Sequence, residues 1–201
     1  MKPLVLLSGF EPFGGDARNP SQEACALLDG SVIAGHHVVR IDLPVTFSGA
    51  WRRLEAGIRR HDPALVLATG LWASRSDLSI ERIALNFVDA RIPDNRGHQP
   101  RERAIIAGAP LAYPSRLPVS AVVNALRRAD IPATASLSAG AFVCNFLYYR
   151  LAHALQSSRR RYGFVHVPAA VEHHVPGASG AMPLVTIAAG IRQVIATTLV
   201  H

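Results

Sequence analysis

The sequence has few cysteines, few aromatic residues, a single lysine and no long hydrophobic run. Only two of its 201 residues are cysteines, Cys25 and Cys144, and neither belongs to a CxxC pair or a spaced Cys/His set. This pattern excludes a disulfide-stabilised mini-protein and a zinc module, and it favours a reduced, intracellular protein. The apolar run from Leu4 to Leu7 is too short for a signal peptide or a membrane span. We therefore expect a cytoplasmic protein with no membrane partner.

Charged residues make up only 17% of the chain and hydrophobic residues 49%, with 15 glycines and 14 prolines spread along it. This composition argues against disorder and shows no linker or repeat, so we expect one domain over residues 1–201. The net charge of +7 is almost all arginine, because Lys2 is the only lysine. Six arginines form the pairs Arg52-Arg53, Arg59-Arg60 and Arg127-Arg128 on the polar sides of amphipathic helices, and only Arg159 to Arg161 forms a run. We favour solvated helix faces over a nucleic-acid partner, since just 6% of residues are aromatic.

Short apolar runs alternate with amphipathic helical stretches, which is typical of an α/β domain. We expect a single-domain α/β/α sandwich, with a twisted, largely parallel sheet covered by helices on both faces. The predicted strands are Leu4–Leu7, Val38–Leu43, Leu65–Ala68, Ile80–Val88, Ala133–Ser138 and Phe164–Val167. The predicted helices are Pro20–Leu28 with Asn19 as its N-cap, Ser48–Arg60, one that Pro118 opens, Phe142–Gln156 and Pro183–Leu199. The proline-rich stretch from Asp89 to Leu117 is expected to be a long loop, either functional or packed on the surface.

Cys144 has the position of a nucleophile. It follows the small-residue turn Ser138-Ala139-Gly140-Ala141 and lies in the first turn of a predicted helix, where free N–H groups and the helix dipole favour a thiolate. The plainer interpretation is a small buried residue, as many unpaired cysteines are. Cys25, on the face of an early helix, is interpreted as packing.

His166 lies at the end of a predicted strand, just before Pro168. A thiol at a helix start and an imidazole at a neighbouring strand end can form a Cys–His pair, in which histidine activates the thiol and later protonates a leaving amine. A third group should orient the imidazole. The candidate acids are Glu81, Asp89, Asp94 and Glu172, and spacing alone does not choose among them.

A glycine-rich segment, Gly9 to Gly15, follows the first strand. It lacks both GxGxxG and the Walker lysine, so it is a weak phosphate-binding signal. Its two phenylalanines suit either a wall for a small apolar ligand or a loop pinned onto the core. The pairs His36-His37 and His173-His174 lack metal-ligand spacing, and we expect them at the surface and no metal site.

Five segments together resemble pyroglutamyl-peptidase I, a family of cysteine exopeptidases also called pyrrolidone-carboxylate peptidase. The resembling segments are Ser8–Ser21 (SGFEPFGGDARNPS), Ser79–Gly97 (SIERIALNFVDARIPDNRG), Ala109–Val119 (APLAYPSRLPV), Ser138–Tyr149 (SAGAFVCNFLYY) and Gly163–Pro168 (GFVHVP). They occur in the family's order and spacing. The resemblance implies hydrolysis of the bond after an N-terminal pyroglutamyl (5-oxoproline) residue of peptides and proteins, through a thioester acyl-enzyme.

Carried over residue by residue, the resemblance implies a catalytic triad in which Cys144 is the nucleophile, His166 the general base and then acid, and Glu81 the residue that orients His166. It implies substrate-binding residues that wall the pyroglutamyl pocket or lie near the reacting centre: Phe10, Phe13, Asn19, Arg91, Ile92, Phe142 and Val143. It also implies a homotetramer that needs no cofactor. A pyroglutamyl residue is an uncharged lactam, so its pocket needs flat apolar walls rather than a carboxylate that would pair with an N-terminal ammonium.

The chain departs from the family pattern in three places. Trp72 is bulky for a turn that is richer in glycine in many relatives, Ala169 stands where an aromatic residue is common, and residues 170–182 differ from the expected sequence. Two alternative functions follow. One is a related cysteine amidase acting on another lactam or N-blocked substrate, and the other is a basic, non-enzymatic nucleic-acid-binding domain.

Overall fold

A computed structural model of the chain describes residues 3–173, 178 and 180–201. Its strands are β1 (Leu4–Phe10), β2 (Val32–Ile33), β3 (His36–Leu43), β4 (Leu65–Leu71), β5 (Leu78–Glu81), β6 (Ile83–Leu85), β7 (Ala112–Pro114), β8 (Ala133–Ser136), β9 (Arg161–Val167), β10 (Ala169–Ala170) and β11 (Ala181–Met182). Seven of them form the central sheet, in the order β2-β3-β1-β4-β9-β5-β8. Neighbours in this sheet pair in parallel except at β2–β3 and β5–β9, which are antiparallel.

Helices cover both faces of the sheet. They are α1 (Pro20–Ala26), α2 (Phe47–His61), α3 (Val119–Arg128), α4 (Val143–Leu155) and α5 (Leu184–Val200). Helices α1, α3 and α5 pack together on one face, and α2 packs with α4 on the other. In β1, Val5 and Leu7 lie in the core under the first set, while Leu6 lies in the core under the second. A strand buried on both sides must be apolar throughout, which is why these runs show no alternation.

The predicted α/β/α sandwich with a largely parallel sheet is confirmed. Asn19 caps α1 as predicted, because its Oδ1 accepts from the backbone N–H of Ser21 at 3.0 Å. The helix-face arginines are also where the sequence placed them, since the pairs Arg52-Arg53 and Arg127-Arg128 are exposed. The strands β2, β10 and β11 were not predicted, because two residues each are too few for a periodic signal.

The predicted strand Ile80–Val88 is wrong as a single element. The chain leaves the central sheet after Glu81, and β6 then pairs antiparallel with β7 in a separate two-stranded sheet. Arg82 makes the transition, because its N–H donates to Ser136 of β8 and its carbonyl accepts from Ser115 beyond β7. Period-two alternation reports an extended chain but not its partner, so both strands gave one continuous pattern. The stretch from Asp89 to Leu117 is correspondingly not all loop, since it contains β7.

Buried polar side chains brace residues 86–111 internally and tie them to the body of the domain. Asn86 donates to the carbonyls of Ile106 at 2.9 Å and Ala109 at 3.2 Å, and its Oδ1 accepts from the N–H of Ile106. Asp94 accepts from the N–H of Phe47 at the start of α2 at 3.0 Å. The Asn86 bonds close the segment on itself, and the Asp94 bond ties it to α2; Arg91 lies between these two residues in the chain.

Candidate active site

The register of the sheet brings Glu81, His166 and Gly70 to one face. His166 of β9 pairs with Gly70 of β4 on one side and with Ser79 of β5 on the other. Paired residues share a face, and so do residues two apart on a strand, which puts Glu81 on the face of His166. Strand β5 runs antiparallel to β9, so the carboxylate and the imidazole meet across the sheet rather than at a common strand end.

A buried hydrogen bond joins His166 to Glu81. The Nδ1–H of His166 donates to Oε1 of Glu81 at 2.8 Å, and the two side chains are 2% and 0% exposed. The guanidinium of Arg75 donates to the same oxygen at 3.2 Å and to the carbonyl of Ser138 at 3.3 Å. An ionised carboxylate only accepts, so Nδ1 carries the proton and Nε2 is left as the basic nitrogen.

Cys144 reaches the same face from α4, where it is the second residue of the helix. A Cβ atom at Gly70 would lie 2.9 Å from its Sγ, so the missing side chain at Gly70 makes room for the thiol. Asn145 holds this helix start in place, because its amide accepts from the N–H of Leu85 at 3.0 Å and donates to the carbonyls of Leu85 and Phe87. The turn Leu137–Phe142 carries the chain back from β8. The strand that carries His166, β9, is not the direct neighbour of β8, which precedes Cys144 in the chain, since β5 lies between them.

Burial disfavours the charged forms of both Cys144 and His166. Burial raises the pKa of the Cys144 thiol to about 12, and the Glu81 carboxylate adds to the rise, while the backbone N–H of Cys144 opposes it. Burial also lowers the pKa of His166 against the opposing effect of Glu81, and Arg75 adds to the lowering. The helix start therefore opposes the effect of burial on the thiol without reversing it. A thiolate can form only by proton transfer to a base, and His166 lines the same cavity.

Two cavities meet at Cys144. The first, of about 400 Å³, is walled by Phe10, Phe13, Val45, Phe142 and Val143, with Asn19, Asp16 and Arg91 as its polar members. The second, of about 640 Å³, is lined by His166, Trp72, Asp89, Ile92 and the turn Ala139–Ala141, again with Arg91. In the first cavity the rings of Phe13 and Phe142 lie 5.4 Å apart. Both uses considered for the glycine-rich segment apply, because Phe10 and Phe13 line this cavity while Phe10 is also buried in the core and Phe13 packs against it.

Comparison with known proteins identifies the family. The family described as pyroglutamyl peptidase matches residues 3–200. The chain is 45% identical over 195 residues to a pyrrolidone-carboxylate peptidase of Pseudomonas fluorescens, covering 96% of this chain and 92% of that one. This chain belongs to the pyroglutamyl peptidase family. A second family member, a pyrrolidone-carboxylate peptidase of Klebsiella pneumoniae, is 49% identical over 165 residues, which cover 82% of this chain and 77% of that one.

Solved structures of pyroglutamyl peptidases have the same fold. Pyroglutamyl peptidase I from Bacillus amyloliquefaciens superposes with a TM-score of 0.96 at 35% identity, covering 100% of this chain and 97% of that one. Pyrrolidone carboxyl peptidase from Thermococcus litoralis gives a TM-score of 0.93 at 37% identity, covering 99% and 94%. The α/β/α sandwich of this chain is therefore the fold of its family.

The seven substrate-binding residues implied by membership of the pyroglutamyl peptidase family all line a cavity, but they divide between the two. Ile92 is 40% exposed and lines only the second cavity. Asn19 is buried, and its amide is engaged within the chain, since Nδ2 donates to the carbonyl of Glu11 at 3.1 Å. Arg91 lines both cavities and has no ion-pair partner among the residues that the structure describes.

The three competing acids are engaged elsewhere. Asp89 pairs with Arg101 at 2.9 Å, Asp94 accepts from backbone N–H groups, and Glu172 accepts from the N–H of Leu184 at the start of α5. Glu81 is the acid that the fold places against His166.

The expected surface position of His173 is wrong, because its side chain is 4% exposed and contacts Glu23 at 3.0 Å. His174 lies outside the described residues. In the described part of the chain, no three His, Cys, Asp or Glu residues cluster as metal ligands. Among the helices described, none is both long and apolar enough to cross a membrane.

Sequence reasoning missed Arg75 and Asn145. Arg75 comes six residues before Glu81, but only the turn between them brings its guanidinium back to the carboxylate. Asn145 directly follows Cys144, and a buried asparagine at a helix start would have been a usable signal for an anchor. Trp72 was singled out as a departure from the family, and its ring lies edge-on to His166 with 4.9 Å between centroids.

Proposed function

We propose that this chain is a cysteine exopeptidase that hydrolyses the bond after an N-terminal pyroglutamyl residue, with Cys144, His166 and Glu81 as its catalytic triad. The names of its relatives support the reaction. The observation that carries the assignment of residues is the buried hydrogen bond from His166 to Glu81, facing a cavity that Cys144 shares.

The first cavity suits the lactam ring. Its aromatic and aliphatic walls offer flat apolar surface, and among the described residues that line it the one carboxylate is that of Asp16, which is partly exposed. Burying the uncharged ring against Phe13 and Phe142 gains hydrophobic and aromatic contact energy without desolvating a charge. We assign Phe10, Phe13, Asn19, Phe142 and Val143 to this pocket, and Arg91 and Ile92 to its border with the second cavity.

The triad performs acyl transfer in two steps. Nε2 of His166 takes the thiol proton as Sγ of Cys144 attacks the carbonyl carbon, and Glu81 stabilises the resulting imidazolium. When the C–N bond breaks, His166 returns that proton to the leaving amine and a thioester remains. Water then attacks the thioester, with His166 taking a proton from the water, and the C–S bond breaks. The thiol regains its proton and 5-oxoproline is released.

The start of α4 supplies donors for the oxyanion. Its N-cap residue, Phe142, makes no side-chain capping hydrogen bond. The first-turn N–H groups of Val143 and Cys144 have no side-chain acceptor at the N-cap, and we assign them as the donors that stabilise the charge developing on the carbonyl oxygen.

Membership of the family also supports the remaining proposals. We assign residues 1–201 to one catalytic unit, with peptides bearing N-terminal pyroglutamate as partners, a homotetrameric assembly and a cytoplasmic location. A nucleic-acid partner is disfavoured, because two members of the run Arg159–Arg161 bind within the chain, Arg160 to Asp62 and Arg161 to the carbonyl of Thr198.

The test is release of the chromophore from a pyroglutamyl arylamide. We expect turnover by the wild type and a loss of more than about a thousandfold in Cys144→Ala, because the acyl-enzyme cannot form. Cys25→Ala is the matched control and should keep activity within about twofold. Full activity of Cys144→Ala would overturn the assignment, and a wild type that is alkylated at Cys144 yet inactive on the arylamide would favour an amidase of another substrate.

A further inference from the structure

The second cavity has an aromatic wall that is built by residues of one turn. Trp72 is half-buried, and its Nε1–H donates to Oγ of Ser74 at 2.8 Å. The guanidinium of Arg75 stacks on the indole at 3.9 Å from the ring centroid, and the backbone N–H of Trp72 donates to the carbonyl of Val167 at 2.9 Å. The indole is therefore fixed before any substrate arrives, so little side-chain entropy is lost on contact with a ligand.

The direction of the leaving group follows from which cavity His166 lines. Cys144 lies in both cavities, and the scissile carbonyl must contact it. His166 lines only the second cavity. Because His166 must protonate the departing nitrogen, that nitrogen lies on the side of the second cavity, and the residue that carries it extends along the same side.

Trp72 is positioned to contact the side chain of that residue. Its ring lies edge-on to His166 with 4.9 Å between centroids, and its far edge is closed by Gly140, where a Cβ would lie 3.6 Å from Cη2. Ile92 adds exposed apolar surface to the same cavity. A large apolar side chain gains binding free energy by burying its surface against the indole and Ile92. Glycine has no side chain to bury there.

We infer that Trp72 determines specificity for the residue after pyroglutamate, and that the preferred substrates are pyroglutamyl peptides whose second residue is aromatic or large and aliphatic. This inference rests on the proposed function, because it assumes that the lactam occupies the first cavity. It assigns to Trp72 a binding contact with the leaving group and no part in proton transfer.

The experiment compares kcat/KM for two substrates, pyroglutamyl-phenylalanine amide and pyroglutamyl-glycine amide, in the wild type and in Trp72→Ala. We expect the wild type to prefer the phenylalanine peptide by about tenfold, and the preference to fall to about twofold or less in Trp72→Ala. Any general effect of the substitution on the triad cancels in the ratio. Trp72→Phe should keep most of the preference. Leu111→Ala, which removes an 87% exposed leucine outside both cavities, should keep all of it.

If Trp72→Ala loses turnover of both peptides, the same ratio is measured from their dissociation constants in Cys144→Ala and in the Cys144→Ala, Trp72→Ala double variant. A wild-type ratio near one, or a ratio unchanged by removal of the indole, overturns the inference while leaving the proposed function intact. Failure of the wild type to cleave either peptide or the arylamide instead overturns the proposed function.

Discussion

The two cysteines lie against consecutive residues of β4, on opposite faces of the central sheet. Cys25 contacts Oγ1 of Thr69 at 3.4 Å, and Cys144 lies against Gly70. Burial raises the pKa of both thiols to about 12. A perturbed thiol pKa therefore does not distinguish the proposed nucleophile from the cysteine that packs.

What distinguishes them is the neighbouring strand. Gly70 pairs in register with His166, whereas Thr69 pairs with Val165. Cys25 is fully buried among apolar side chains, and Cys144 is partly exposed where two cavities meet. The same alternation along β9 gives one thiol an imidazole and the other a valine. The two regions therefore differ in whether the thiol opens onto a cavity and has an imidazole beside it. They do not differ in the direction of the thiol pKa shift.

Among the changes that leave both cysteines in place, the largest expected effect comes from removing the Glu81 carboxylate, which is hydrogen-bonded to His166. Glu81→Gln removes the charge that orients and stabilises the imidazolium, and we expect kcat/KM for the arylamide to fall by about a thousandfold. The matched control is Glu55→Gln on the exposed side of α2, which should change kcat/KM by less than about twofold. A Glu81→Gln enzyme that retains wild-type activity with an intact fold would mean that Glu81 does not act through His166.

A smaller effect is expected from closing the space that the thiol occupies. In Gly70→Ala the new Cβ would lie 2.9 Å from Sγ of Cys144 and 3.1 Å from Cζ of Phe164, so the thiol or the ring must move. We expect kcat to fall by about 10- to 100-fold, because a displacement near 1 Å misaligns the attack of the thiol on the carbonyl carbon.

The control is Thr69→Val, at the preceding residue of β4, whose side chain lies on the opposite face of the sheet beside Cys25. It removes the hydrogen bond to the carbonyl of Ser8, lowers the melting temperature and leaves kcat within about twofold. Equal kinetic effects of the two substitutions would contradict the comparison.

The smallest expected effect is a shift of the acidic side of the kcat/KM–pH profile of the wild type to lower pH. The proposed mechanism needs neutral His166 as its base, so we expect kcat/KM to fall as the pH drops through the pKa of His166 in the free enzyme. Burial lowers this pKa below the ordinary value of 6.5. The midpoint of the acid limb should therefore lie below pH 6.5. Initial rates at low substrate concentration measure it, and a midpoint at or above 6.5 would show that the imidazolium is stabilised more than burial destabilises it.

Most of the sheet was predictable because strands buried on both faces must be apolar. The short, continuously apolar runs at Leu4–Leu7 and Leu65–Ala68 are typical of central strands that are buried on both faces. The switch from β5 to β6 was not predictable, because hydrogen-bond partners of an extended chain come from distant residues such as Ser115 and Ser136. The alternation of side chains along an extended segment is the same whichever strand it pairs with.

The catalytic candidates divide in the same way. Cys144 and His166 stood out from residue type and position, since a thiol at a helix start and an imidazole at a strand end are local features. Glu81 had three competitors until the resemblance to the family selected it, and the sheet register supplies the physical reason. The contact between Arg75 and Glu81 was not predictable, because it depends on the conformation of the turn between them.

Alkylation of the native enzyme shows directly whether Cys144 is the nucleophile. Iodoacetamide is added in small excess, and residual arylamide activity is compared with the modified fraction of each cysteine, read by mass spectrometry after digestion. We expect activity to fall in proportion to modification of Cys144 while Cys25, which is fully buried, stays unmodified. Activity retained with Cys144 fully modified, or lost in step with modification of Cys25, would contradict this expectation.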